Sequence, residues 1–285
     1  MDILHPNIVL TIFTFLKYET GTKRNFCLAC KQTNHFKHLF IYPDSIELNK
    51  IQDVPFFDRF SYLHFGQDYD FSEDIERFPT LLKKVLFTYR LNPGRITFPN
   101  TVKKFYLGKR FYSSLTGLIP RSAKVLHLGD EFDCRIGKGD LPEGLEKLYF
   151  SGFFDKPLNG AIPFSTREIV FRSCFNQPIK GEFQKSVHTL IFGSGFNQSI
   201  EGAIPEGVIE LVFGDRFNQP VMGCIPENVQ ILKFGRDFTQ DIDGAIPKSV
   251  KELTLPDRFR HRTIGNITCK ITFLEPYKNM LSYNV

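Results

Sequence analysis

Apolar and polar positions follow one rule over about the first 40 residues and another over the rest. In LHPNIVLTIFTFLKYETG the apolar residues Ile8, Val9, Ile12, Phe13 and Leu16 recur at the helical period and form one face of a short helix. Pro6 suits a first helical turn, where its missing N–H would have had no partner, and Gly21 ends the element. A second helical run over roughly 22–39 carries Phe26, Leu28, Ala29, Phe36 and Leu39, with Thr22 as its cap. So small a helical module buries too little surface to stand alone, so it must dock on its neighbour or on a partner. Beyond it the helical period gives way to alternation. In Val208-Ile-Glu-Leu211-Val-Phe213, Leu211 and Phe213 share one face of a strand while Val212 points to the other.

That strand frame is written many times. Pro99, Pro120, Pro142, Pro163, Pro205, Pro226 and Pro247 fall at steps of 21 residues with a single 22, Gln184 filling the one vacancy. Phe111, Phe132, Phe154, Phe175, Phe196, Phe217, Phe238 and Phe259 repeat the same steps, including the single 22. Two columns sharing one irregularity mark a repeat. No strand hides its inward face alone, so the coils must stack in parallel to bury it. The return segment, typified by FNQPVMGCIP, contains Pro and Gly without helical period and is expected to be extended or irregular. Asn176, Asn197 and Asn218 directly follow the framing Phe; a buried Asn in successive coils can satisfy backbone groups as a ladder. Gly160, Gly181, Gly202, Gly223 and Gly244 mark either a φ > 0 corner or a place where coils approach closely.

The apolar-x-x-Leu-x-Phe frame and the period of 21 resemble a leucine-rich repeat. The expected fold is mainly β: a parallel-stranded, leucine-rich-repeat-like solenoid of about 21-residue coils behind a small α-helical module. The expected divisions are the helical module over 1–41, the solenoid over 42–268, and a C-terminal cap over 269–285. Within the solenoid the copies are eroded over 42–98, where Leu63, Phe65, Leu82, Val85 and Phe87 still match, and clear from 99.

Composition narrows the function. Phe is over-used, at 31 residues, while Trp is absent, which fits one aromatic position copied repeatedly. The net charge of +5 is a mild excess that does not demand nucleic acid. Cys134, Cys174, Cys224 and Cys269 occupy different places in their repeats and form no disulfide framework, so a reducing compartment is expected. The apolar run from Ile8 to Leu16 is too short to cross a bilayer and lacks a signal peptide's basic start and cleavage site. The expectation is a protein of the cytoplasm or nucleus, without membrane contact and monomeric on its own. There is no phosphate-binding loop, no Gly-x-Ser-x-Gly and no His-Glu-x-x-His, so no enzyme activity, catalytic residue or cofactor is expected. Cys27, Cys30, His35 and His38 could be drawn as a zinc set, but only four residues separate the pairs where a finger needs about twelve; no metal is expected.

Two family resemblances follow from these residues. Leu4, Ile8, Val9, Ile12, Phe13 and Leu16, then Cys30-Lys31 and Phe36, resemble an F-box. Pro6 comes one place later than in that pattern, Asn7 stands where Glu is usual, and the usual Trp is absent. The Phe-Asn-x-x-Ile-Pro-like wording of residues 57–268 resembles the FNIP repeat, whose members in amoebae and large DNA viruses often place an F-box ahead of the repeats. For a viral member the compartment would be that of the host cell.

The resemblance implies a substrate-recognition adaptor of a cullin–RING (SCF-type) ubiquitin ligase. Its helix face (Leu4, Pro6, Ile8, Val9, Ile12, Phe13, Leu16) would dock the Skp-type linker, and the solenoid would hold a client protein. The alternative is a non-catalytic interaction scaffold whose N-terminal helices only cap the solenoid. The client-facing positions are the residues between Leu and Phe of each strand, which line the concave face: Tyr106, His127, Tyr149, Val170, Ile191, Val212 and Lys233. Two places earlier runs the series Lys104, Val125, Lys147, Glu168, Thr189, Glu210, Ile231 and Glu252. The first coils thus offer aromatic and basic groups, the middle an apolar strip, and the last coils acids. A cluster of Lys83, Lys84, Lys103, Lys104, Lys109, Arg110 and Lys124 invites a nucleic-acid reading, but interspersed Glu146, Glu168 and Glu210 argue against phosphate tracking.

Overall fold

The computed structural model describes residues 46–47, 58, 60–65, 77–87, 96–111, 113–260 and 267–275. The helical module assigned to 1–41, with its linker-docking face from Leu4 to Leu16 and the Cys27, Cys30, His35, His38 group, lies outside the described residues.

Among the described residues, twelve strands form one parallel sheet in chain order. They are β1 (Ile46–Glu47), β2 (Tyr62–Phe65), β3 (Lys84–Phe87), β4 (Lys104–Leu107), β5 (Val125–His127) and β6 (Lys147–Tyr149). There follow β7 (Glu168–Val170), β8 (Thr189–Ile191), β9 (Glu210–Val212), β10 (Ile231–Lys233), β11 (Glu252–Pro256) and β12 (Lys270–Leu274). Each strand is short because one coil must turn corners to return beneath its own start. The eroded copies are true coils at the level of the sheet: Leu63 pairs in register with Val85, and Val85 with Phe105. At the other end β12 pairs with β11 from Glu252↔Lys270 to Pro256↔Leu274. The sheet therefore runs one strand past residue 268, into the segment assigned to the cap. Ile271 and Phe273 extend the inward rows there, because strand pairing needs the alternation and not the full repeat wording.

The core is built from columns, one side chain per coil. Leu126, Leu148, Ile169, Leu190, Leu211 and Leu232 fill the strand centre and are fully buried. The framing phenylalanines stack ring on ring: Phe154–Phe175, Phe175–Phe196, Phe196–Phe217 and Phe217–Phe238 have centroids 6.0–6.2 Å apart and nearly parallel planes. A second column, Phe171, Phe192, Phe213 and Phe234, lies against the first, with Phe192–Phe196 at 4.0 Å and Phe213–Phe217 at 3.9 Å. Such offset stacks are favourable beyond the area they bury. The sequence's heavy use of Phe is the direct consequence.

The turns have their own columns. The Pro205 carbonyl accepts from Val208 N–H at 3.1 Å and the Pro226 carbonyl from Val229 N–H at 3.2 Å, so each proline opens a tight turn into a strand. The asparagine ladder exists. Asn197 N–H donates to Asn176 Oδ1, Asn218 N–H to Asn197 Oδ1, and Thr239 N–H to Asn218 Oδ1, at 2.8–2.9 Å. Gln198 and Gln219 side-chain amides donate to the same oxygens of Asn176 and Asn197. The ladder is not buried, however: Asn176 and Asn218 are half-buried and Asn197 is exposed. Each rung bonds backbone at the rim of the coil, where the chain bends away from the core.

The glycine alternatives separate into two columns. Gly160, Gly181, Gly202, Gly223 and Gly244 all have positive φ, as do Gly117 and Gly139, so they are the corner. Close approach marks Gly129, Gly193, Gly214 and Gly235, just after the strands, where an added Cβ would fall 1.8–2.2 Å from a backbone oxygen of the preceding coil.

Candidate functional site

Parallel register decides which side chains meet. The outward row runs Tyr106↔His127↔Tyr149↔Val170↔Ile191↔Val212↔Lys233, as the strand frame requires. Its first three members form a continuous stack. The Tyr106 and His127 rings lie 4.5 Å apart at 11°, and the His127 and Tyr149 rings 4.1 Å apart at 5°. Strand spacing of about 4.8 Å imposes this on planar side chains in one row. With their faces against one another, the rings offer edges and polar atoms outward.

The row does not stay open along its length. Tyr106, His127, Tyr149, Val170 and Lys233 are half-buried, but Ile191 is only 4% exposed and Val212 1%. The expected apolar strip in the middle coils is therefore largely closed to a partner. A short branched side chain flanked by registered neighbours keeps little free surface, whereas Tyr and Lys reach beyond theirs. The accessible members of the client-facing series are Tyr106 to Val170 at its N-terminal end and Lys233 at the other, with all the aromatic ones at the N-terminal end.

Polar groups gather around the ring stack. Glu168, on β7, accepts the Lys147 ammonium at 2.6 Å and the Tyr149 hydroxyl at 2.5 Å. Arg172 pairs with Asp130 at 3.3 Å. Beside the ring stack lies a cleft of about 210 Å³ lined by Tyr106, Lys109, His127, Asp130, Tyr149 and Arg172, among others. Burial, then the hydrogen bond its hydroxyl donates to the Glu168 carboxylate and that carboxylate's negative charge, push the Tyr149 phenol well above its usual value. His127 is held down at about 4, by burial first and then by the positive charges of Arg172 and Lys104, which outweigh Glu168. It is neutral at pH 7.

This gives a pH prediction. The folded chain resists protonating His127 while the unfolded chain takes that proton near the ordinary value of 6.5. The stabilising contribution is complete above 6.5 and is lost as the pH falls from there towards about 4. Urea midpoints should drop across this window, and His127→Gln should drop less over the same interval. Equal pH slopes for parent and variant would contradict the assignment.

Three lysines of the basic cluster have partners, one of them an acid. Lys124 pairs with Glu146 at 3.0 Å, Lys103 donates to the Asn100 carbonyl at 3.0 Å, and Lys84 sits 5.6 Å from the Tyr62 ring centroid. Among the described residues, Lys104 and Lys109 make no ion pair. No group of three or more His, Cys, Asp or Glu among the described residues could hold a metal ion. Nor is any described helix long and apolar enough to cross a membrane. The sequence pattern did not place Arg172 and Asp130 at this site. A signal existed: Arg172 occupies the place after its strand where other coils put Gly193, Gly214 and Gly235.

Comparison with known proteins bears on the repeats and the fold. The FNIP Repeat family model matches residues 132–174, 175–215, 196–222 and 217–258, which include the most regular coils. No curated protein matches the chain. Among solved structures, CroV588, described as a novel circular LRR protein structure, aligns at a TM-score of 0.58 with 22% identity. The alignment takes in 76% of this chain but only 40% of the length of that one. The shared feature is the leucine-rich-repeat-like solenoid fold. Residues 132–258 match FNIP repeats and lie on that fold.

Proposed function

We propose that this FNIP-repeat solenoid is a protein-interaction scaffold that holds a segment of a client along the outward faces of β4 to β7, and that residues 1–41 make it an adaptor. The reading is carried by the half-exposed Tyr106–His127–Tyr149 stack, a rigid set of large amphipathic side chains beside a cleft. Aromatic groups fixed in one rotamer bind with little further loss of side-chain freedom. The adaptor role is supported by the F-box-like face of Leu4, Pro6, Ile8, Val9, Ile12, Phe13 and Leu16. That face would dock the Skp-type linker of a cullin–RING ligase. The chain itself would carry out no reaction; it would raise the effective concentration of a client lysine near a charged ubiquitin donor.

The test is binding of the purified full chain to a Skp-type linker, beside an Ile12→Asp, Phe13→Asp double variant. The parent should bind, and the variant should lose at least about a hundredfold in affinity, since two charges enter an apolar contact. Failure of the parent to bind would remove the adaptor role and leave the N-terminal helices as a cap on the solenoid.

A further inference from the structure

The cleft at the aromatic stack has a sign as well as a shape, and the sign specifies what sits there. We infer that the surface formed by Tyr106, His127 and Tyr149 with Lys104, Lys109 and Arg172 binds an acidic extended peptide segment of a protein partner, with a carboxylate seated in the cleft. This rests on the reading of the solenoid as a protein-binding scaffold and adds the chemistry of the client.

Charge complementarity carries the argument. Lys104 and Lys109 are exposed and, among the described residues, without an ion pair, so their full charge is available to a ligand. Arg172 and Asp130 keep 44% and 50% of their side-chain surface, so their pair, at 3.3 Å, is loose enough to reopen for a second carboxylate. Glu168 is already committed to Lys147 and the Tyr149 hydroxyl and adds less negative charge than its position suggests. Burial is the first cause of the depressed titration of His127, and among the charges acting on it Arg172 and Lys104 each outweigh Glu168. Ring edges carry the positive end of the aromatic quadrupole, so an edge-presenting stack suits an anion better than a cation.

A nucleic acid fits less well. Its phosphates come at regular short intervals, and Asp130, Glu146 and Glu168 are interleaved with the cations on this surface. A peptide can place one or two carboxylates in the cleft and pass neutral residues over the acids. Farther along, Glu210 and Glu252 reverse the sign, so the acidic stretch of the segment belongs at β4 to β6.

The experiment uses the full chain and a displayed library of random extended peptides, with affinities of selected peptides read by fluorescence anisotropy at two salt concentrations. Selected peptides should be rich in Asp and Glu. Replacing those acids by Asn and Gln should weaken binding about tenfold or more, as should Lys104→Glu with Lys109→Glu in the protein, and the loss should shrink at high salt. Both lysines are exposed, so the double variant should keep the parent's melting temperature, which separates lost binding from lost fold. Selected peptides without acidic enrichment, or unaffected by the lysine reversal, would overturn the inference while leaving the protein-binding reading intact. Preference for a single-stranded oligonucleotide over every selected peptide would overturn both, and absence of any peptide binding would overturn the inference.

Discussion

Gly214→Ala is expected to cost about 3 kcal/mol or more, whereas Gly223→Ala, nine residues away, should cost only about 1–2 kcal/mol. The two glycines exist for different reasons. An ideal Cβ on Gly214 would lie 2.2 Å from the Gly193 carbonyl oxygen, 2.3 Å from its carbon and 2.6 Å from Ser194 N. Those are backbone atoms, and the coils around them are tied together: Phe192 N–H donates to Val212 O at 2.8 Å and Arg216 N–H to Ser194 O at 3.1 Å. Relief of the clash must push adjacent coils apart and break sheet hydrogen bonds. Gly223 has φ +68 and nothing within 4 Å of the position a Cβ would take, so alanine meets only the left-handed backbone cost. Ser151 and Arg172 hold the Gly214 place beside the 22-residue step, so the steric rule applies to the coils on either side of them, those of Gly193 to Gly235 and that of Gly129, whose Cβ would lie 1.8 Å from the Gly108 carbonyl oxygen. Urea denaturation followed by circular dichroism tests the contrast. Equal losses for the two variants would mean that coil spacing adjusts freely.

The second large effect is in the ring columns. Phe196→Ala should cost about 3–5 kcal/mol, the range for deleting a fully buried aromatic side chain. Phe196 is wholly buried and touches four rings: Phe192 at 4.0 Å, Phe217 at 6.0 Å, Phe175 at 6.2 Å and Phe213 at 6.5 Å. No neighbour can fill the void without leaving its own column. Phe153, which is 58% exposed, provides the control, and its alanine variant should fall within about 0.5 kcal/mol of the parent. Because each coil contacts mainly its neighbours, damage at Phe196 should spread only to adjacent coils. Hydrogen exchange should accelerate at β7 to β9 while β3 and β4 stay protected. Uniform acceleration along the chain would show that the solenoid unfolds as one unit.

Much of this architecture was legible because a repeat states each rule many times. The shared 21-residue spacing of Pro and Phe identifies a coil, and the Leu-x-Phe alternation gives the strand and its inward face. Register in a parallel stack of equal coils then follows, so Tyr106, His127 and Tyr149 could be aligned as neighbours from their numbers alone. The weakly matching strands Tyr62–Phe65 and Lys84–Phe87 belong to the same sheet because alternation outlasts the rest of the motif.

What the linear pattern left open depends on distances across coils. It assigned Ile191 and Val212 to an open face, yet exposure depends on how far each side chain extends beyond its registered neighbours. It buried the asparagine ladder, which lies at the rim because the backbone groups it bonds are there. It could not divide glycines that turn the chain from glycines that admit a neighbouring backbone, since both are simply Gly at fixed intervals. It did not bring Arg172 and Asp130 together, because their 42-residue separation gains meaning only when two coils are stacked. The sequence by itself determined the coil, the strand and the inward columns, which repeat identical local demands. Only the tertiary structure decided which outward residues stay open and which charges meet, because those follow from side-chain reach and spacing between coils.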